Sequence, residues 1–354
     1  MRSILVCGAG GAPAANFIRS LRAAPEPFYL VGVDCDRYHL QRAESDERHL
    51  VPPCHDQDYL AVLAGLIEET RVRFLHAQAD VEVAVLSEAR ELLPLRTFLP
   101  STATIRLCQD KFRTYERWRA AGLRVPATRR IAAPEELRAA FAEFGPRLWL
   151  RASRGAFGLG SLATESFEQA RAWLDFQQGW GSFTAAACLT DRSVTWQSLW
   201  WEGTLVVAQG RRREYWEFAN RAPSGVTGLT GTGVTVADPQ VDQIALEAIR
   251  AVDSRPHGLY GVDLTYDRDA VPNPTEINIG RFFTTHLFFT RAGLNLPYLY
   301  VKLGLEEPVS WPEPRLNPLP PGLAWVRGMD VEPVLTTLAA IEATERELEK
   351  RRSR

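Results

Sequence analysis

Gly261-Val-Asp-Leu-Thr-Tyr-Asp-Arg-Asp-Ala-Val-Pro-Asn-Pro-Thr-Glu-Ile-Asn278 reads as two strands joined by a turn near Asp269 and Ala270. Folding the segment about that turn sets Asp263 opposite Glu276. Residues two apart on a strand share a face, so Asn278 joins them. Apolar Val262, Leu264 and Ile277 alternate with these polar residues, as in a half-buried sheet with one polar face. Like charges opposed across strands repel unless something compensates. A hard divalent cation does so, and Asp, Glu and Asn carry the oxygen donors that magnesium prefers. A solvated acidic face fits the same pattern. Pro272 and Pro274 restrict pairing near the turn and leave the register open by a residue or two.

Upstream, Leu148-Trp-Leu-Arg151 reads as a strand that ends in a cation. A loop follows it, Arg154-Gly-Ala-Phe-Gly-Leu-Gly160. Gly155, Gly158 and Gly160 let backbone amides approach an anion closely, and Arg151 offers a planar fork to a phosphate. The Gly-Lys-Ser/Thr ending of a Walker loop is missing, and an ordinary surface turn is the plainer reading. Lys111 is one of only three lysines in an arginine-rich chain, beside Lys302 and Lys350. It suits a point-charge role on a phosphate, or a solvated place on its helix.

The first hundred residues alternate strands and helices. Ile4–Cys7, Tyr29–Val33 and Arg73–Ala77 are strands, and helices fall over Asp58–Glu69 and Val81–Leu92. Such alternation predicts a parallel sheet with helices on both faces. Ligands gather beyond the carboxyl ends of its strands, where Gly8–Gly11 and Asp34 fall. A helix is expected to run to Gly122, followed by a strand near Thr128 and a helix over Pro134–Phe144. Strands are expected near 183–189, 194–201 and 204–209, and a helix over 239–252. The stretch Ala222–Val234 reads as a long loop; Arg211–Arg213, with Arg221, reads as a solvated basic turn or as cations beside that loop that recognise an anionic substrate, the turn being the plainer reading; and the end from about Glu332 to Glu349 reads as a helix.

The chain has 354 residues, 45% of them hydrophobic and 24% charged, enough for more than one packed unit. A net charge of −2 gives no electrostatic case for nucleic acid or an anionic membrane as partner. Five scattered cysteines form neither a zinc pattern nor a disulfide framework. No apolar run approaches a membrane span and Ile4–Cys7 is too short for a signal-peptide core, so a cytoplasmic location is expected.

In order and spacing these pieces resemble the ATP-grasp superfamily, and within it one synthetase unit of the carbamoyl-phosphate synthase large subunit. The matching series runs from the glycine turn through Asp110-Lys111, Gly122-Leu-Arg-Val-Pro126 and Arg151 with its glycine loop. It closes on Gly261-Val-Asp263 and Glu276-Ile-Asn278. The resemblance implies an open parallel-sheet domain over 1–108 and a small lobe with a glycine lid over 109–188. A larger lobe with the metal site would cover 189–308, and a proline-rich tail with a helix 309–354. It implies ATP between two sheets, with Lys111, Arg151 and the loop glycines Gly155, Gly158 and Gly160 on the phosphates. Asp263, Glu276 and Asn278 would hold magnesium, and Arg281 would act on the transferred phosphoryl group. The implied reaction activates a small-molecule carboxylate as an acyl phosphate for an amine or similar nucleophile. A non-catalytic ATP-binding protein on the same fold is the alternative.

The sequence departs from that pattern in places. Ala187 and Ser193 stand where the adenine hinge would carry carboxylates, and Arg281 lies three residues after Asn278 instead of two. Gly8-Ala-Gly-Gly-Ala-Pro13 departs from a dinucleotide fingerprint at Pro13, which tells against a nicotinamide oxidoreductase. His286 fits a buried structural role better than a site role, and tryptophans 196, 200, 201 and 216 fit core positions. The C-terminal helix suits docking on the body or pairing in a homodimer.

Overall fold

The sheet at the amino end follows from strands buried on both faces. The computed structural model describes residues 2–155, 158, 160–328, 334–339 and 342. Ile4 to Cys7 are fully buried in β1 (Arg2–Cys7), which places this strand inside its sheet. It pairs in parallel with β2 (Phe28–Asp34) and, on its other side, with β4 (Phe74–His76). Strand β3 (Glu47–Leu50) and β5 (Arg96–Thr97) lie outermost, giving the order β3-β2-β1-β4-β5. The order reverses at β1, so the crevice between the ends of β1 and β4 is the switch point of this sheet. Gly10, in the turn after β1, sits so close to the short helix Arg37–Leu40 after β2 that a Cβ would meet the His39 carbonyl oxygen at 1.8 Å.

A single helix ending near Gly122 was the expectation, but the segment breaks into Thr102–Cys108 and Lys111–Ala120. The break has a local cause. The Asp110 carboxylate accepts from the Arg113 N–H at 3.1 Å and caps a new helix, which makes Lys111 its first residue. Next come β6 (Thr128–Ile131), β7 (Leu148–Ala152), β8 (Leu162–Thr164) and β9 (Phe183–Ala187), in an antiparallel sheet of order β6-β9-β7-β8. Helices Pro134–Phe144 and Phe167–Phe176 cover it over a core that includes Leu137, Leu150 and Leu174.

The largest sheet holds β10 (Ser193–Trp201), β11 (Thr204–Arg213), β12 (Thr232–Val236), β13 (Gly258–Tyr266) and β14 (Pro272–Ile279). Strands β15 (Leu323–Val326) and β16 (Val334–Thr337) complete the order β14-β13-β10-β11-β12-β15-β16. Helix Pro239–Val252, with the bounds expected of it, packs on one face against Trp196, Val262 and Ile277. The Trp196 indole N–H donates to Asp242 at 2.7 Å, which satisfies its buried polar atom.

Three expectations are corrected here. Arg211–Arg213 is the end of β11, an interior strand, and no solvated turn. The loop expected over Ala222–Val234 stops at Gly231, because Thr232–Val236 pairs with β11 and β15. The tail from 309 supplies strands to this sheet, and Val334–Thr337, expected as helix, pairs with β15 as β16. Leu338, Ala339 and Glu342 are helical; the rest of the helix expected to Glu349 lies outside the described residues.

Candidate active site

The register of the acidic hairpin decides the site. Asp263 lies directly opposite Glu276, while Leu264 pairs with Pro274, so a bulge sits between them. The bulge leaves Thr275 without a cross-strand partner. Its carbonyl accepts from the Arg151 guanidinium at 2.9 Å, and this bond ties β7 to the hairpin. The Asn278 amide donates to Asp263 Oδ2 at 2.9 Å, and the Thr195 hydroxyl to Asp263 Oδ1 at 2.6 Å. Asp263, Glu276 and Asn278 therefore converge.

Cations meet this group from three elements. Lys111 Nζ lies 3.5 Å from one Glu276 oxygen and an Arg151 nitrogen 4.0 Å from the other. Lys111 is held at the head of its helix, where its backbone N–H donates to the Ser153 carbonyl at 2.8 Å and its ammonium to the Gly155 carbonyl. Burial lowers the pKa of the Arg151 guanidinium, and Glu276 and Asp263 pull it back up. Arg281 bonds Asn278 Oδ1 on one side and the Asp80 carboxylate on the other. Burial works against its charge as well, but Asp80 holds the pKa above the ordinary value.

Asp80 follows β4, at the switch point of the amino-terminal sheet, so its bond to Arg281 closes one wall of the cleft. Gln78 donates to the Phe282 carbonyl at 2.5 Å, and Asn16 to the Thr284 carbonyl at 2.7 Å, along the same seam. Within the turn on that side, the Gly10 N–H donates to Asp34 Oδ2 at 3.0 Å. The cleft is thus walled by all three sheets.

The glycine loop adopts the backbone that its composition demands. Gly155, Gly158 and Gly160 have φ of 111°, 67° and 74°, a region that side chains disfavour. At Gly158 an added Cβ would stand 2.7 Å from the Val226 carbonyl oxygen. Next to it the hydroxyls of Ser161 and Ser224 lie 2.7 Å apart. The glycine loop and the loop before β12 therefore touch.

A second group of cations lies on the cleft face: the sequence offered Arg211–Arg213 as a basic turn, but not their place on a strand of the cleft, nor Arg327 near them. Arg211 pairs across β10 through Thr195, which itself pairs with Asp263. Arg211, Thr195, Asp263 and Glu276 thus form one cross-strand row on the cleft face. Arg211 is only 2% exposed. Burial lowers its pKa to about 9, with help from Arg213 and Arg327, and burial lowers that of Arg213 to about 10. One signal was legible: Gln209, Arg211 and Arg213 share strand parity, and a run that continues a strand is no turn.

Ser193, noted for a missing hinge carboxylate, accepts a bond from Arg213 at 2.9 Å, and Ala187 ends β9. His286 is buried, with its pKa lowered to about 4 by burial, and its Nδ1 lies 2.8 Å from the Phe283 carbonyl oxygen, which fits a structural role. Among the described residues no three His, Cys, Asp or Glu side chains gather as a metal site, and no helix is long and apolar enough to cross a membrane. The donor set of Asp263 and Glu276 with Asn278 contains only two carboxylates. It still fits a hard divalent ion, since two like charges in direct register offer oxygen donors to one point.

No family model and no curated protein matches the chain in sequence. Solved structures do match in fold. A carboxyaminoimidazole ribonucleotide synthase from Aspergillus clavatus, complexed with ATP, superposes with a TM-score of 0.69 at 15% identity, over 92% of this chain and 81% of that one. An L-amino acid ligase from Bacillus licheniformis gives 0.70 at 12% identity, over 92% and 79%. The biotin carboxylase domain of a 2-oxoglutarate carboxylase from Hydrogenobacter thermophilus, in complex with MgADP and bicarbonate, gives 0.69 at 16% identity, over 92% and 73%.

Proposed function

We propose that this chain, which has the ATP-grasp fold, binds ATP with magnesium and uses it to activate a carboxylate. The observation that carries this reading is the convergence of Asp263, Glu276 and Asn278 within reach of Lys111 and Arg151. The carboxylate oxygen attacks the γ-phosphorus, the bond to the β–γ bridging oxygen breaks, and ADP leaves. An amine or similar nucleophile then adds to the acyl phosphate carbon, loses its proton and expels inorganic phosphate. A divalent ion, when bound by Asp263, Glu276 and Asn278, neutralises phosphate charge.

The chain's own groups do the positioning. Lys111 and Arg151 hold phosphate oxygens from the small lobe, and Glu276 keeps both cations aimed at the cleft until nucleotide arrives. Arg281, braced between Asp80 and Asn278, faces the transferred group. Gly155, Gly158 and Gly160 give the lid backbone N–H groups that can approach the phosphates. Phosphoryl transfer is stabilised chiefly by fixed charge and position, so no nucleophilic side chain is needed.

A phosphate-release screen with ATP, magnesium, and panels of carboxylates and amines tests this. The expected products are ADP and phosphate, formed only with an acceptor present and lost in Glu276→Gln. Release of AMP and pyrophosphate would sink the acyl-phosphate reading. The hinge stretch Thr184–Ser193, with Asp191 its only acid, favours one rival, a protein that binds ATP without turnover. In that case calorimetry would detect ATP while the screen stayed silent.

A further inference from the structure

The face that carries Asp263 and Glu276 continues across β10 onto β11, where three arginines meet with too few acceptors. Arg213 donates to Ser193 at 2.9 Å and to Thr230 at 3.1 Å, and Arg211 donates to Thr230 at 3.3 Å. Nε and Nη1 of Arg211 and Nη1 of Arg327 are buried without a hydrogen-bond partner. Among the described residues none of the three arginines makes a salt bridge. Aromatic rings support two of them: Phe283 lies 4.7 Å from the Arg211 guanidinium carbon, and Trp216 3.4 Å from that of Arg213. A ring against the flat face of a guanidinium leaves its N–H edge free to bind.

Thr230, which accepts from Arg211 and Arg213, also lines a small hollow together with Glu217, Leu229, Arg327 and Gly328. Thr230 accepts from two arginines, which occupies both lone pairs of its hydroxyl and leaves the O–H as a donor. Glu217 is the only acid in that lining, and of the three arginines its charge favours Arg327 alone. A lysine or histidine placed here could shed its proton, but arginine keeps its charge, so burial without an acceptor asks for an anion.

We infer that Arg211, Arg213 and Arg327, with the Thr230 hydroxyl, bind an anionic group of the substrate, a carboxylate or a phosphate distinct from the phosphates of ATP. The spacing separates the two. Strand β10 lies between Arg211 and Asp263, so their backbones are about 10 Å apart at ~4.8 Å per strand. Lys111 and Arg151 approach from the far side, at Glu276. One end of a substrate can then meet the γ-phosphoryl group while a second, anionic end seats among the arginines. The assignment of that anion to a substrate rests on the proposed carboxylate activation; the anion site itself does not.

Calorimetry on the full chain tests the site with malonate and inorganic phosphate, and separately with a non-hydrolysable ATP analogue plus magnesium. Malonate or phosphate should bind the wild type, and the tighter of the two names the chemical class. Arg211→Gln should weaken that anion at least tenfold and Arg213→Lys severalfold, with the affinity for the ATP analogue within twofold of wild type. Failure of both anions to bind wild type at millimolar concentration would overturn the inference. So would an equal response to chloride at matched ionic strength, or an equal loss of anion and nucleotide in Arg211→Gln. Anion binding without any binding of the ATP analogue would uphold the site and overturn the nucleotide reading instead.

Discussion

One sheet face carries two clusters of charge that solve burial in opposite ways. At the β13–β14 end each charged group has a partner: Glu276 faces Lys111 and Arg151, Arg281 faces Asp80, and Asp263 accepts from Asn278 and Thr195. At the β11 end Arg211 and Arg213 share a hydroxyl and lie against aromatic faces, and guanidinium nitrogens of Arg211 and Arg327 are left over. A balanced cluster can stand preformed and exchange its internal partners for ligand. An unbalanced one is costly until a ligand completes it. The molecule also buries polar atoms elsewhere without this consequence. His76 and His286 each leave a ring nitrogen without a partner, but burial lowers their pKa values to about 3 and about 4, so both are neutral. Burial can switch off a histidine; it does not discharge an arginine.

The sharpest way to break the comparison is to unbalance the balanced end. Glu276→Gln strands Lys111 and Arg151 and replaces a charged metal donor with a neutral amide oxygen, and acceptor-dependent phosphate release should fall roughly 10²–10³-fold, the range for removing one preorganised charge stabiliser. Native circular dichroism would show that the loss is not unfolding. Asp80→Asn should act on Arg281 alone and lower kcat/KM by roughly ten- to a hundredfold, as when one charge-assisted bond is lost. An unchanged kcat/KM would mean that the Asp80–Arg281 bond does no positioning.

Gly158→Ala probes the loop contact that spans both ends. The new Cβ sits in left-handed backbone, at about 1 kcal/mol, and crowds the Val226 carbonyl. The KM for ATP should rise about fivefold by that same ~1 kcal/mol. The smallest effect concerns the neutral groups. Both histidines have folded pKa values below their ordinary 6.5, so the stability they contribute is complete above pH 6.5 and is lost as pH falls toward about 4 and about 3. Glu82, raised by burial to about 7 from 4.5, works in the other direction: its contribution is complete below pH 4.5 and is lost as pH rises through 7. Glu82→Gln should therefore steepen the fall in Tm between pH 6.5 and 4.5. A parallel pair of curves would show that Glu82 titrates normally.

The fold and the convergence of Asp263, Glu276 and Asn278 were legible because their signals are local. Alternation along Gly261–Asn278 puts Asp263, Glu276 and Asn278 on one face, and the turn at Ala270, with φ of 60°, brings them into register. Glycines at 155, 158 and 160 announce a loop whose backbone only glycine tolerates well. The tail was misread because Leu323–Val326 is too short to show a period, and its identity as a strand depends on β12 beside it.

Arg211 marks the boundary between the two kinds of information. Its chemistry and its strand parity are written in the chain, and so are those of Asp263, fifty-two positions later. That the two share a row follows from β10 lying between β11 and β13, a choice of neighbours made by the whole sheet. The same holds for Asp80 and Arg281, which meet only because two sheets pack at a switch point. Periodicity and turn chemistry act over a few residues, so a single sequence states them directly. Pairing between distant strands is settled by burial summed over the whole molecule, and the partners of a buried charge are settled with it.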